Sequence, residues 1–266
     1  MEEKAQSPNC CYRRGPYVEP AVGAEIHSSL DTGGRVIVVG DPHGCFDELL
    51  LLLDECGVDE SKDTVVIVGD MPNKGPKSLE IVRFVRENAH VHCIQGNHEG
   101  YALMWWDMLK AGTPADELPP MLNWILDMTD EEAEWMRALP FTLRLPQHDA
   151  LVVHAGLVPD GRPIEEQHLG LLYRLRNLRK LPDEGGKPRF ETSERHDIGT
   201  PWIEHWKGPE FLIFGHDSVR MLQQTDHAIG LDTGCCYGGQ LSACILPGRK
   251  VVQVNALHAY SAKVAK

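Results

Sequence analysis

Five short apolar runs in this chain each deliver a side chain that can bind a cation or move a proton. Arg35–Gly40 runs into Asp41-Pro-His43, and Thr64–Gly69 runs into Asp70. His90–Gly96 leads to Asn97-His98-Glu99, Leu151–Val153 to His154, and Phe211–Gly215 to His216-Asp217. Lys74 follows Asp70 in a turn rich in Gly and Pro, which can hold a cation near that carboxylate. Carboxylate, amide and imidazole donors suit Mn, Fe, Zn or Mg rather than soft, thiophilic metals. A single Asp or His after a strand is usually an ordinary loop residue. Five in succession are hard to ascribe to chance.

The elements that must position these groups follow from the pattern around them. Short β-branched runs such as Thr64–Val68 read as buried strands. A polar group at the carboxyl end of such a strand lies where open α/β sheets place their ligands. Phe46–Cys56 is predicted as a helix, apolar nearly all round and hence buried on more than one side. Ser78–Asn88 has apolar residues at helical spacing. The chain therefore begins strand, helix, strand, helix, strand, an α/β order with parallel neighbours. Glu99–Lys110, Leu122–Met128 and Glu131–Leu139 are predicted as helices, the last preceded by the capping-box pattern Thr129-Asp-Glu-Glu132. The Trp105-Trp106 pair reads as core packing, with a base-stacking platform as the alternative. Strands resume at Phe141–Leu145 and Ala150–His154. Glu165–Lys180 reads as a basic helix or helix-loop, and Leu181–Thr200 as a long polar loop of the kind that is usually functional or disordered. Phe211–Phe214, Ala228–Leu231, Gln240–Leu246 and Lys250–Val254 read as strands.

Taken together, Gly40-Asp41-Pro42-His43-Gly44, Gly69-Asp70 with Lys74-Gly75, Gly96-Asn97-His98-Glu99, His154-Ala-Gly156 and Gly215-His216 resemble the phosphoprotein phosphatase branch of the calcineurin-like metallophosphoesterases. Within it the chain looks most like the ApaH-like phosphatases, relatives of the symmetrical diadenosine tetraphosphatase. Leu231-Asp-Thr-Gly-Cys-Cys-Tyr-Gly-Gly239 and Asn73-Lys74 carry that finer likeness. The resemblance implies an α/β fold, a β-sandwich of two mixed sheets flanked by helices. The expected catalytic domain runs over 35–260, with a helical insertion at about 99–139 where helices interrupt the sheet pattern; residues 1–34, polar with scattered Pro and Gly, read as a mobile or loosely packed extension.

The same resemblance implies a site of two divalent ions, Mn²⁺ first among Mn, Fe, Zn, Co and Mg. Asp41 and His43 would hold one ion, Asn97, His154 and His216 the other, with Asp70 bridging. Two ions about 3.5–4 Å apart clamp phosphoryl oxygens and lower the pKa of water from 15.7 to about 7, so no side-chain nucleophile is needed. His98 matches the general acid of relatives, and Lys74 a cation that neutralises phosphoryl charge. Arg174 or Arg176 matches a phosphate-gripping arginine; a solvated helix face is the bland alternative for that cluster. Asn73 stands where Ser/Thr phosphatases have an Asp that favours the cationic form of the acid His. An amide orients an imidazole without stabilising its charge. That favours a leaving group that is already a weak base, such as a nucleotide phosphate leaving an anhydride. The expected substrates are dinucleoside polyphosphates or capped RNA ends, with phosphoproteins as the alternative.

Composition limits the partners. The net charge of −13 opposes general nucleic-acid or anionic-membrane binding, so an anionic substrate must be drawn in by local charge. The acidic start has no apolar run behind it, and the longest aliphatic run, Leu49–Leu53, is too short to span a bilayer. The eight Cys lack the spacing of a disulfide framework or zinc finger. These features predict a cytoplasmic protein with free thiols. Asp-Thr-Gly, the tripeptide of aspartic proteases, occurs at Asp31–Gly33 and Asp232–Gly234, but the first copy follows no apolar strand.

Overall fold

In a computed structural model of the protein, which describes residues 26–182 and 186–262, the run Val36–Val39 is buried on both faces. Side chains alternate across a strand. Ile37 and Val39 therefore join a cluster shared with helices, while Val36 and Val38 join a second cluster shared with the opposite sheet. This alternation repeats in neighbouring strands and builds the layers.

In chain order the first elements are β1 (His27–Ser29), β2 (Val36–Val39), α1 (Phe46–Glu55), β3 (Thr64–Ile67), α2 (Ser78–Glu87) and β4 (Val91–Cys93). A strandless stretch follows, with α3 (Asn97–Lys110), a 3-10 segment over Pro120–Asp127 and α4 (Asp130–Arg137). Then come β5 (Thr142–Leu145), β6 (Ala150–Val153), α5 (Leu169–Leu172), β7 (Asn177–Lys180), β8 (Phe190–Ser193) and β9 (Thr200–Pro201). The chain ends through β10 (Phe211–Phe214), β11 (Gln223–Gln224), β12 (Ala228–Gly230), β13 (Gln240–Leu246) and β14 (Lys250–Asn255).

One sheet has the order β14-β13-β2-β3-β4, with β2, β3 and β4 parallel as the strand–helix alternation predicts. The other has the order β1-β5-β6-β10-β12-β11 and is also mixed. Val66, Val68, Val152, Ile213 and Ile229 fill the space between the sheets. On the outer face of the first sheet lie α1, α2, α3, the 3-10 segment and α4, all contributing to a single apolar cluster. On the outer face of the second lie Tyr173, Trp202 and Trp206. This is a sandwich of two mixed sheets flanked by helices, the architecture that the resemblance implies.

Several local expectations are corrected. Helix α1 is buried on one side through Leu49, Leu52 and Leu53, while Leu50 and Leu51 face solvent. The basic stretch read as a helix or helix-loop holds one α-helical turn, α5, and ends in the strand β7. Its neighbour, read as a long loop, supplies β8 and β9, which pair with β7 in a small three-stranded sheet. Of the expected loose extension, β1 pairs in parallel with β5, and residues 1–25 lie outside the described residues. Trp106 is buried and Trp105 half-buried in the helical cluster, so the pair packs as core. The capping box on α4 is present: Thr129 Oγ1 accepts from Glu132 N at 3.2 Å, and Glu132 Oε2 accepts from Thr129 N at 2.8 Å. Cys45, Cys56, Cys93, Cys235, Cys236 and Cys244 are free thiols; Cys10 and Cys11 lie outside the described residues.

Candidate functional site

Asp70 leaves β3 at a φ of 52°, a left-handed conformation that a non-glycine residue rarely adopts. His43 (44°), Asn73 (74°), Lys74 (70°) and His216 (68°) share it, so five of the eight such non-glycine residues among the described ones converge on one place. Strain of this kind persists where the surroundings over-determine the backbone, and it clusters at functional sites.

The surroundings of Asp70 are specific. Glu99, fully buried in the first turn of α3, accepts from Asp70 N at 2.9 Å, Met71 N at 2.7 Å and Gly96 N at 2.8 Å. It thereby fastens the end of β3 to the start of α3. The His98 N–H at the N-terminus of α3 donates to Asp70 Oδ1 at 2.8 Å, a favourable place for a carboxylate. A Cβ on Gly96 would collide with Asp70, and one on Gly215 would collide with Asp41 Oδ1, so both approaches require glycine.

Around Asp70 the imidazoles divide into two sets. Its Oδ2 lies 3.5 Å from His43 Nε2 and 4.0 Å from His98 Nε2. Its Oδ1 lies 3.4 Å from His154 Nε2, and His216 completes that second group. Asn97 Oδ1 is 3.1 Å from His154 Nε2. Asp41 Oδ2 accepts from His216 N at 2.9 Å, which ties the remaining carboxylate to the same place. The structure thus brings Asp41, His43, Asp70, Asn97, His98, His154 and His216 together. Burial holds the pKa of His43, His98, His154 and His216 below the usual imidazole value, with His98 lowered to about 3. Each therefore keeps a lone pair at neutral pH. His43 Nδ1 donates to Pro72 O at 3.2 Å and His154 Nδ1 to Val68 O at 2.8 Å, so in both the lone pair is on Nε2, facing Asp70. Backbone carbonyls fix the tautomer of metal-binding histidines in this way.

The carboxylates supply the test of fit for cations. Asp41 Oδ1 is buried without a hydrogen-bond partner. Burial, then the charges of Asp232 and Asp70, push the Asp41 pKa well above the carboxylate range. Burial raises that of Asp232 to about 6. Three carboxylates in so dry a place, facing neutral imidazoles, form a donor set that divalent cations satisfy.

The three sequence-predicted cations differ in placement. Lys74 Nζ donates to His43 Nε2 at 2.7 Å and lies 5.3 Å from the centre of the Tyr237 ring. Arg176 Nη1 donates to His216 O at 3.2 Å and lies 3.1 Å from Asp217 Oδ1. The Arg174 guanidinium instead lies 5.6 Å from the centre of the Tyr173 ring. Asn73, wholly buried, bridges His98 and Trp124: its Nδ2 is 3.0 Å from His98 Nδ1, and its Oδ1 accepts from Trp124 Nε1 at 2.8 Å.

Sequence reasoning left out four residues of this environment. Asp232 and Glu99 sit inside quoted motifs without a role assigned to them. Asp217 binds Arg176, Arg220 and His196, the last at 2.7 Å, and so sets the position of the arginine. Trp124 had no sequence signal beyond its helical spacing.

The calcineurin-like phosphoesterase family matches residues 34–246, and the chain belongs to that family. It is a metal-dependent hydrolase, and family membership implies divalent ions. It is 30% identical over 82% of its length to the symmetrical bis(5'-nucleosyl)-tetraphosphatase of Neisseria gonorrhoeae strain NCCP11945, 94% of which is covered. It is 28% identical over 85% of its length to the asymmetrical bis(5'-nucleosyl)-tetraphosphatase PrpE of Bacillus velezensis, again with 94% covered. A solved structure described as that of a candidate diadenosine tetraphosphatase superposes with a TM-score of 0.76 at 34% identity, covering 87% of this chain and 98% of the other. A Saccharomyces cerevisiae protein serine/threonine phosphatase superposes with a TM-score of 0.53 at 16% identity, a likeness of fold alone; 91% of this chain and 85% of that one are covered. Among the described residues no helix is long and apolar enough to cross a membrane.

Proposed function

We propose that the protein hydrolyses phosphoanhydride bonds of dinucleoside polyphosphates, with diadenosine tetraphosphate as the representative substrate. Residues 35–260 form the catalytic domain. The observation that carries this reading is the two-sided surrounding of Asp70, whose oxygens face His43 on one side and His154 on the other. Asp41, His43 and Asp70 would hold one divalent ion; Asp70, Asn97, His154 and His216 would hold the second, with Mn²⁺ the first expectation among the ions, Mn, Fe, Zn or Mg, that oxygen and imidazole donors suit. When bound, such a pair supplies Lewis acidity to the phosphoryl oxygens and hydroxide at neutral pH.

The chain's own residues do the rest. Lys74 and Arg176 neutralise charge on the phosphoryl group undergoing attack, Lys as a point charge and Arg as a planar fork. Arg176 is held for this by Asp217. His98 faces the oxygen that leaves. The oxygen of water forms the new P–O bond, and the P–O bond to the leaving nucleotide breaks with its electron pair on the leaving phosphate. Symmetrical cleavage of diadenosine tetraphosphate consumes one water and yields two ADP. The neutral Asn73 beside His98, and a His98 pKa that burial lowers to about 3, favour a leaving group that needs little proton donation.

The test is a product analysis with Mn²⁺ on diadenosine tetraphosphate, capped RNA, a phosphoserine peptide and an aryl phosphate. Two ADP released from the first, abolished by a chelator, is the expected result. A preference for the phosphopeptide would overturn the substrate class, and AMP plus ATP would overturn the symmetrical cut.

A further inference from the structure

The segment between β4 and β5 contributes a polar contact to the site as well as core. Trp124, in the 3-10 stretch Pro120–Asp127, donates its indole N–H to Asn73 Oδ1 at 2.8 Å. An indole nitrogen is a donor only, so the amide oxygen must face it. The amide nitrogen then faces His98 and meets two acceptors, Nδ1 at 3.0 Å and the main-chain carbonyl at 3.3 Å. Flipping the amide would set oxygen against carbonyl oxygen and NH₂ against indole N–H. Three contacts therefore select one orientation, which is otherwise invisible in an amide.

The consequence passes to the imidazole. With Nδ1 accepting from Asn73, the proton of neutral His98 resides on Nε2, the nitrogen 4.0 Å from Asp70 Oδ2. We propose that Trp124 is a positioning residue: acting through Asn73, it selects the Nε2–H tautomer of His98 and dedicates that residue to donating a hydrogen bond to a weakly basic leaving oxygen. This rests on the anhydride reading above and deepens it. Specificity for the leaving group is then set partly by a residue 51 positions from Asn73 in the chain, whose hydrogen bond goes to the amide of Asn73. The ring of Trp124 packs against the helical cluster, which holds its N–H in place for the amide of Asn73.

Trp124→Phe keeps an aromatic ring but removes the N–H with part of the bicycle, leaving the Asn73 amide held only through its contacts with His98. For diadenosine tetraphosphate, kcat should fall by about three- to tenfold, the factor one neutral hydrogen bond supports, with KM nearly unchanged. A readout independent of turnover is the tautomer itself. Nitrogen-15 NMR of histidine-labelled protein with Mg²⁺, assigned by loss of signal in His98→Asn, should show His98 protonated at Nε2 in wild type. It should show a mixture of tautomers in Trp124→Phe. Protonation at Nδ1 in wild type would overturn the proposal, and so would an identical tautomer in both proteins. Should Trp124→Phe fail to fold, Trp124→Leu makes the same comparison, and Nδ1 protonation in wild type overturns the proposal without either variant. The expected tautomer shift together with no cleavage of the dinucleotide would support the positioning role and count against the substrate reading instead, so the two fail separately.

Discussion

The two flanks of the site are built from opposite materials. On one, Asn73, His98 and Trp124 form a buried, uncharged chain of hydrogen bonds, Trp to amide to imidazole. On the other, Arg176 and Arg220 grip the carboxylate of Asp217 beside His216. The first hangs from the five-stranded sheet and the helices over it; the second comes from the end of β10 and the small sheet around β7. A flank of fixed ion pairs suits a charge that must be held throughout the reaction. A neutral, donor-ordered flank suits an oxygen that departs without demanding a proton. On the proposed function, Arg176 then serves the phosphoryl group and the Asn73–His98 pair the leaving oxygen, with Lys74 beside His43 adding its charge to the phosphoryl side.

The comparison breaks most completely at the group both flanks share. Asp70→Asn should reduce turnover to background for every substrate and lower metal content by at least one ion, as measured by elemental analysis. Near wild-type activity with two ions bound would show that Asp70 is no bridge. On the charged flank, Arg176→Ala should cost on the order of 10²–10³-fold in kcat across substrates, the scale for removing one preorganised electrostatic contact in a transition state. Arg174→Ala, over the Tyr173 ring, should cost far less in the same assay. Equal losses would mean that the assignment between the two arginines is wrong.

A smaller effect is expected where the neutral flank is seated. Arg83 of α2 bonds Glu132 Oε1 at 2.6 Å and the Asp127 carbonyl at 3.3 Å, which pins the 3-10 segment and α4. Burial works to raise the Glu132 pKa, but the bonds from Arg83 and Thr129 N outweigh it, and the net shift is downward. A carboxylate with a depressed folded-state value contributes stability above its unfolded value near 4.3, and that contribution is lost as pH falls through the folded value. Glu132→Gln keeps the capping-box bond to Thr129 N but loses the charge facing Arg83, and should therefore cost about 1 kcal/mol at neutral pH and much less below about pH 4. Urea unfolding at both pH values checks it; a loss that does not depend on pH would contradict the ionic account.

Much of the site was legible in the sequence because each element of it is local. An apolar strand that stops on Asp, Asn or His announces both the strand and the group it presents, and parallel order follows from strand–helix alternation. What stayed hidden depends on distant partners. The run Leu171–Lys180 has apolar residues at helical spacing, yet from Asn177 on it is a strand because β8 and β9 pair with it, and cross-strand partners override local preference. The roles of Asp217 and Trp124 are likewise set across the fold: Asp217 meets Arg176, and Trp124 meets a turn 51 residues earlier. Asp232 could have been found from its place at the end of an apolar run, the signal that revealed Asp41 and Asp70.

The division of labour between the flanks is tested most directly by Asn73→Asp, measured as the ratio of kcat/KM for diadenosine tetraphosphate to that for a phosphoserine peptide. A carboxylate at this position would face His98 Nδ1 and call for a proton there, raising the imidazole pKa and making His98 a better-populated general acid at neutral pH, which helps poor leaving groups. General acid catalysis typically contributes about 10²–10⁴-fold, so even a partial gain on the peptide is measurable. The account predicts that the ratio falls because peptide turnover rises while dinucleotide turnover stays level or drops. Parallel changes in both rates, at unchanged metal content, would contradict it.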